Sequence, residues 1–169
     1  LWQAFEPKSL LAHASVYRSG LCSESKGTSM KIESVRIKNF RSFEDQTVQF
    51  SDYTCLIGPN GSGKSTILCA LNVFFQESDY SGIDVSSLGA DDFHHRNVEE
   101  PVEITVTFAD LTKTEQEGLK DYYRQGKLVG TAAAAYDSAS GRASVKQYGQ
   151  RLCMKDFAKF FKAEGDKAK

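Results

Sequence analysis

One nine-residue run constrains the fold of this chain more than any other feature: Gly58-Pro59-Asn60-Gly61-Ser62-Gly63-Lys64-Ser65-Thr66. It fits the phosphate-loop pattern G-x-x-x-x-G-K-[ST] at every fixed position. The apolar stretch from Tyr53 to Ile57 before it predicts a strand, and the segment from Lys64 to Gln76 after it has the spacing of a helix. Strand, glycine loop and helix is the order that this motif needs in order to bind phosphate.

The residue types in this run have a chemical logic. Glycine lets the chain turn without Cβ clashes, so successive backbone N–H groups point inward. These donors and the positive end of the following helix form a cradle for phosphate oxygens. Lys64 adds a positive charge for the β- and γ-phosphates, and the Ser65 hydroxyl is a ligand for Mg²⁺. The predicted phosphate-binding residues are Gly58, Asn60, Gly61, Ser62, Gly63, Lys64, Ser65 and Thr66.

Composition narrows the class of protein. The 169 residues are enough for one domain with a core, and 40% hydrophobic with 25% charged residues is typical of soluble proteins. The net charge of -1 gives no argument for nucleic acid as a partner. The four cysteines contain no C-x-x-C spacing, which disfavours zinc or thiol-redox sites and fits a reducing cytoplasm. We predict that Cys55 and Cys69 are small core residues. No apolar run approaches the ~18 residues of a membrane span, so no membrane is expected.

The first 29 residues differ from the rest of the chain. The stretch from Ser23 to Ser29 is polar and turn-forming, and Met30 then opens a clean strand pattern. We therefore predict that residues 1–29 are an extension outside the domain and that the domain occupies residues 30–169. An ordered helix from Leu10 to Tyr17 is the alternative.

Hydrophobic periodicity predicts the remaining elements. The helix after the loop has a broad apolar face that includes Ile67, Leu68 and Phe74. A helix with a capping box between Thr114 and Glu117 is predicted later in the chain. The predicted strands run from Lys31 to Phe40, Thr47 to Phe50, Pro101 to Phe108, Lys127 to Tyr136 and Ala143 to Tyr148, and the predicted later helices from Thr114 to Gln125 and Met154 to Ala163.

Two segments carry a family resemblance. The stretch from Lys31 to Phe43, followed by Cys55 to Thr66, closely resembles the N-terminus of the SMC and RecF-type ATPases, relatives of the ABC transporter ATPases. In that group a segment reading xNFRSF lies about one short hairpin before a loop reading GPNGSGKS. The resemblance implies an α/β P-loop NTPase fold, as an ABC/SMC-head-like N-terminal lobe with a mixed sheet and antiparallel β hairpins. It also implies ATP and Mg²⁺ as ligands and a homodimer of heads.

A later stretch is similar to one branch of this group. Asp92-Phe93-His94 and the run from Pro101 to Thr112 with Glu115 look like the OLD (overcoming lysogenization defect) family of ATP-dependent endonucleases. That family joins the ATPase head to a C-terminal Toprim nuclease, which implies DNA as a partner and ATP-gated cleavage outside this chain. Two alternatives stay open: a RecF/SMC-type head for DNA repair or chromosome structuring, and a truncated nucleotide-binding module without catalysis.

The resemblance also assigns individual residues. Arg41 and Ser42 match the FRSF segment, which lies close to the nucleotide in such ATPases; the alternative for Arg41 is a surface arginine. ABC-type heads place a metal-contacting glutamine after the loop helix, but residues 77–101 contain none. Asp91 or Asp92 could replace it as a metal-linked carboxylate, with Asp92 as the candidate, and a solvated loop carboxylate is the alternative. His94 and His95 are predicted to diverge, which argues against a metal pair.

Several parts of a complete ATPase site are not recognisable. The sequence shows no apolar strand ending in Asp-Glu, no Leu-Ser-Gly-Gly-type signature and no Toprim carboxylate cluster. No catalytic set is therefore complete in this chain. We expect the N-terminal lobe of a longer ATPase, which by itself binds ATP without turnover.

Overall fold

A computed structural model describes residues 2–4, 30–77 and 84–150. The helices predicted from Leu10 to Tyr17 and from Met154 to Ala163 lie outside these residues. The elements in chain order are β1 (Trp2–Ala4), β2 (Lys31–Phe40), β3 (Phe43–Gln49), α1 (Lys64–Phe75), β4 (Ser87–Leu88), β5 (Val102–Ala109), α2 (Lys113–Gly118), β6 (Tyr123–Arg124), β7 (Lys127–Asp137) and β8 (Arg142–Gln150). Two short 3₁₀ turns, Ala90–Asp92 and His94–Arg96, lie between β4 and β5.

The strands form one sheet with the order β1-β8-β7-β5-β2-β3, and β4 and β6 pair with β8 and β7. Every strand pair within the described residues is antiparallel. β1 comes from the segment predicted to be an extension, and its three residues lie beside β8. Short loops join β2 to β3 and β7 to β8, as expected for antiparallel hairpins.

The central strands alternate between core and surface as their sequences predict. Val35 and Ile37 of β2 lie opposite Val106 and Ile104 of β5, and all four side chains are fully buried. On the other face, Arg36 of β2 donates to the carboxylate of Asp45 on β3, and this hydrogen bond lowers the pKa of Asp45. The sheet thus has one apolar face and one polar face.

Helix α1 covers the apolar face. It contacts β2, β5 and β7, and it buries Ile67, Ala70, Val73 and Phe74. Leu68, predicted to belong to the same apolar face, is 58% exposed instead. The buried stripe is narrower than the sequence pattern because, within the described residues, the sheet covers α1 from one side only.

The strand predicted before the phosphate loop is not formed. Residues 53–57 have no strand assignment, and Tyr53 and Ile57 are 96% and 88% exposed. A strand needs a hydrogen-bonded neighbour, and no strand within the described ranges pairs with this segment. For the same reason Cys55 is exposed, so the prediction that it is a core residue is wrong. Cys69 of α1 is partly buried and packs against the core.

The helix predicted from Thr114 to Gln125 is shorter than expected. α2 ends at Gly118, and the chain then forms β6. Its capping box uses Thr112 and Glu115, because the Thr112 hydroxyl accepts from the Glu115 N–H and the Glu115 carboxylate accepts from the Thr112 N–H. β7 and β8 form close to the predicted positions, and Ala132 and Ala134 of β7 are buried.

Two neighbouring residues of α1 test this arrangement. Replacing Ile67, which is 6% exposed, by Ala should lower the free energy of unfolding by about 2–5 kcal/mol, because a buried side chain leaves a cavity. Replacing Leu68 by Ala should change it by less than about 1 kcal/mol, as for an exposed position. Urea denaturation followed by circular dichroism measures both. Equal losses would show that Leu68 is buried as the sequence pattern predicted.

Candidate nucleotide-binding site

The phosphate loop turns on glycines with left-handed backbones. Gly61 and Gly63 have backbone φ angles of +84° and +89°, which residues with a Cβ rarely adopt. Gly63 is also the residue from which α1 starts. At Gly58 an added Cβ would lie 2.7 Å from the Ser62 Oγ, so the two ends of the loop approach closely. Gly61 and Gly63 therefore need glycine for their backbone conformation, whereas a Cβ at Gly58 would require the Ser62 hydroxyl to move.

Lys64 lies across its own loop. Its ammonium group donates to the carbonyl oxygens of Gly58 and Pro59 at 2.8 and 2.7 Å, with the Ser62 Oγ at 3.4 Å. The loop thus holds a positive charge directly over the turn where the sequence predicts phosphate. Carbonyl oxygens are neutral acceptors, and phosphate oxygens form the stronger, charge-assisted hydrogen bonds with an ammonium group.

The start of α1 supplies further groups for an anion. The helix has no side-chain cap and no acidic residue in its first turn. Its first N–H groups therefore stay open to a ligand, at the positive end of the helix dipole. Ser65 and Asn60 are exposed, and within the described residues the Ser65 hydroxyl has no hydrogen-bond partner. Lys64, the helix N–H groups and Ser65 together fit a Mg²⁺-nucleotide, whose phosphates they would hold and whose metal Ser65 would ligate.

The tip of the β2–β3 hairpin packs against this loop. The Ser42 Oγ donates to the Thr66 Oγ1 at 3.1 Å. The Phe43 ring lies over Gly63, so closely that a Cβ there would be 2.6 Å from its Cζ. The FRSF segment predicted to lie close to the nucleotide therefore touches the phosphate loop itself and the first turn of α1.

Arg41, the first residue of the hairpin tip, forms an ion pair with Asp92. Its Nε and Nη2 lie 3.0 and 2.9 Å from the Asp92 Oδ1. Its Nη1 lies 3.5 Å from the Cys69 Sγ of α1, and its guanidinium lies 5.5 Å from the centre of the Phe40 ring. The sequence predicted that Arg41 contacts the nucleotide and that Asp92 is linked to the metal, as two separate roles. The structure brings the two residues together.

The backbone of Arg41 is also held from the segment that carries Asp92. Its φ is +50°, a left-handed value that costs about 1 kcal/mol for a residue with a Cβ. The Arg41 N–H donates to the Asp92 carbonyl at 2.8 Å, and its own carbonyl lies 2.8 Å from the His94 Nδ1. Arg41 is therefore fixed by its side chain and by both of its backbone groups.

Sequence reasoning missed the role of Asn39. This residue is 5% exposed, and its Nδ2 donates to the carbonyls of Asn97 and Glu100 at 2.8 and 2.7 Å. Beside it, Phe40 is fully buried and forms a β-bridge with Phe93. The available signal was an asparagine, Asn39, directly before Phe40 at the end of an apolar strand pattern. An amide buried there must find hydrogen-bond partners. Asn39 and Phe40 attach residues 92–100 to the hairpin.

The prediction that His94 and His95 diverge is wrong. Their ring centroids are 4.1 Å apart. His95 has a φ of +49°, so the segment is not extended and the alternation of an extended chain does not apply.

These elements define a P-loop nucleotide-binding domain of the α/β class. It has an antiparallel sheet, a helix on the apolar face of that sheet, and a phosphate loop at the start of the helix. This fold class is the one that the sequence predicted, but the sheet is antiparallel throughout the described residues and not mixed, because the strand predicted before the loop is not formed. The chain belongs to the family of AAA ATPase domains, which matches it over residues 30–167. An ATPase domain implies ATP as its nucleotide.

One solved structure that the chain resembles is described as the recombination mediator protein RecF with ATP in the RecFOR pathway, at 18% sequence identity and a TM-score of 0.44. The match covers 78% of this chain and 30% of that one. The search of curated proteins found no match. Within the described residues no helix is long and apolar enough to cross a membrane.

The glycines of the loop make distinct predictions. Gly63→Ala and Gly61→Ala each place a side chain on a left-handed backbone, at a cost of about 1–2 kcal/mol in the free energy of unfolding. Only at Gly63 does the new Cβ also meet Phe43, so Gly63→Ala should lower the melting temperature further than Gly61→Ala. Thermal unfolding measures both.

A double variant separates the two costs at Gly63. Adding Phe43→Ala to Gly63→Ala removes the clash, although it also removes the packing of the ring. The double variant should therefore lose less stability than the sum of the two single variants. Additive losses would show that the ring does not lie over Gly63.

Proposed function

We propose that this chain is the ATP-binding lobe of an OLD-type ATP-dependent DNA endonuclease, in which ATP controls a nuclease located elsewhere in the protein. The observation that carries the proposal is the phosphate loop, with Lys64 over its turn and an uncapped helix behind it. The similarity of residues 92–94, residues 101–112 and Glu115 to the OLD family supports the nuclease branch. The activity of the whole protein goes beyond what this lobe contains.

ATP bound in this lobe would be enclosed from one side only. The loop, the start of α1 and the hairpin tip would cover its phosphates from that side, and the apolar residues Ile57 before the loop and Leu68 on α1 are exposed. We propose that a second head closes the other side, so that ATP lies between two copies of the protein. The γ-phosphate would then hold the heads together, and hydrolysis would release them. A cytoplasmic location, where ATP and Mg²⁺ are abundant, accords with this role.

Turnover requires groups that this sequence does not show. The attacking water needs a carboxylate, and ABC-type heads complete the site with a signature from the partner head. We therefore propose that the isolated chain binds ATP with Mg²⁺ without hydrolysing it, and that the full-length protein is the ATPase. A RecF/SMC-type head has the same lobe without a nuclease, so the full-length protein distinguishes the two functions.

Binding of ATP by this chain is the first test. Lys64→Ala should weaken the binding of ATP with Mg²⁺ at least about tenfold, because a hydrogen bond to a charged group contributes about 1.5–3 kcal/mol. Lys113→Ala, which removes an exposed lysine at the start of α2, is the matched control and should leave binding unchanged. Isothermal titration calorimetry measures the dissociation constants. Equal binding by wild type and Lys64→Ala would contradict the proposed site.

The nuclease requires the full-length protein. With ATP and Mg²⁺ it should cleave plasmid DNA, and Lys64→Ala should reduce both the ATP dependence of cleavage and ATP-induced dimerisation, measured by light scattering. Binding of DNA with ATP hydrolysis but without cleavage would replace the nuclease by a RecF/SMC-type function. ATP binding without hydrolysis in the full-length protein would indicate a non-catalytic module.

A further inference from the structure

We propose that Asp92 is a positioning residue that orients Arg41 toward the phosphates of ATP, and that it is not a ligand of the metal. The inference rests on the proposed binding of ATP and goes beyond it, because it assigns a role to the segment between α1 and β5. ABC-type heads contact the metal through a glutamine in this segment, but residues 77–101 of this chain contain none. Another residue therefore makes that contact, or the contact is absent.

The side chain of Arg41 has two hydrogen-bond partners among the described residues. The Asp92 Oδ1 accepts from Nε and lies 2.9 Å from Nη2 in the ion pair, and Nη1 donates to the weak acceptor Cys69 Sγ. A guanidinium carries five N–H donors. Within the described part of the chain, only the Nε hydrogen and one hydrogen of Nη1 are in hydrogen bonds, so Nη1 and Nη2 keep donors for a ligand. Held in this way, Arg41 keeps donors for phosphate oxygens while its orientation is fixed by a charged partner.

Both oxygens of Asp92 are already engaged. Oδ1 accepts from Arg41, and Oδ2 accepts from the Gly89 N–H at 3.1 Å. The side chain is 18% exposed, so little of it faces solvent. A divalent cation on this carboxylate would lie beside the guanidinium and repel it. Asp92 is thus arranged as a partner for an arginine and not as an open metal ligand.

The hold on Arg41 extends to its backbone. The Asp92 carbonyl accepts from the Arg41 N–H, and the His94 ring is bonded to the Arg41 carbonyl. Both backbone groups of Arg41 are thus held in its left-handed conformation. Such a conformation persists where the surrounding structure over-determines it, and it is frequent at ligand sites. It also fixes the direction in which the following residues leave the turn.

The next two residues of the chain contact the phosphate loop. Ser42 bonds Thr66, and Phe43 covers Gly63. Arg41 therefore lies within two residues of contacts to the nucleotide-binding loop. A shift of Asp92 would move Arg41 relative to the phosphate loop, because Asp92 bonds both the side chain and the backbone N–H of Arg41.

A double-mutant cycle on ATP affinity tests the proposal. Arg41→Ala should weaken ATP binding by the 169-residue chain about tenfold or more, through loss of a charge-assisted contact. Asp92→Asn should weaken it about tenfold, because the arginine loses its charged partner. If Asp92 acts through Arg41, the double variant should bind within about twofold of Arg41→Ala alone.

The matched control is Asp91→Asn. Asp91 belongs to the same 3₁₀ turn, but its carboxylate is 81% exposed and pairs with Arg96. The Asp91→Asn variant should bind ATP like wild type. Asn at position 92 keeps the size of Asp and an acceptor for the Gly89 N–H, so the turn should still form. Circular dichroism confirms that each variant is folded at the temperature of the titration, which separates loss of orientation from unfolding.

The metal alternative gives a different pattern. If Asp92 ligates Mg²⁺, Asp92→Asn should raise the Mg²⁺ concentration needed for half-maximal ATP binding, and it should do so in the Arg41→Ala background as well. That result overturns the proposal, as does tighter ATP binding by Asp92→Asn, which would mean that Asp92 competes with the phosphates.

The two proposals fail in distinguishable ways. Equal binding of ATP by wild type and Lys64→Ala would refute the nucleotide site itself. Binding that depends on Lys64 but is unchanged in Asp92→Asn would leave the nucleotide site in place and refute only the role of Asp92.

Discussion

The turn of the chain into α1 through Gly63 is the constraint on which the site depends. The left-handed backbone at this residue aims the first N–H groups of the helix at the loop, and the same residue has no Cβ, so Phe43 can pack on it. One glycine therefore determines both the geometry of the phosphate cradle and the approach of the β2–β3 hairpin. Burial of Val73 and Phe74 against the sheet anchors the other end of the helix.

The segment between α1 and β5 links the sheet to this turn. Asn39 and Phe40 attach it to the end of β2, and Asp92 and His94 then hold Arg41 above α1. A motif near a phosphate loop invites a purely functional interpretation. Here, the first residues of the motif are structural. They bury an amide and an aromatic ring so that the next residue has one defined orientation.

Much of the fold was predictable because its signals are local. The alternation in β2 and β5 and the helical spacing after the loop follow from side-chain periodicity, which backbone geometry alone sets. The predictions that failed depend on neighbours distant in sequence. Leu68, Cys55 and Ile57 are apolar and were expected inside, but burial requires a covering element, and no described element covers them.

The sequence by itself determined the class of site: a complete phosphate-loop motif that includes Lys64 and Ser65 predicts nucleotide binding, because each fixed position of the motif has a chemical reason in the binding of phosphate or Mg²⁺. Only the tertiary structure decided what Arg41 and Asp92 do for each other. They are 51 residues apart, and no local pattern relates an arginine in a hairpin turn to a carboxylate in a 3₁₀ turn. Their pairing follows from the antiparallel packing of β2 against β5, which brings the segment before β5 alongside the end of β2.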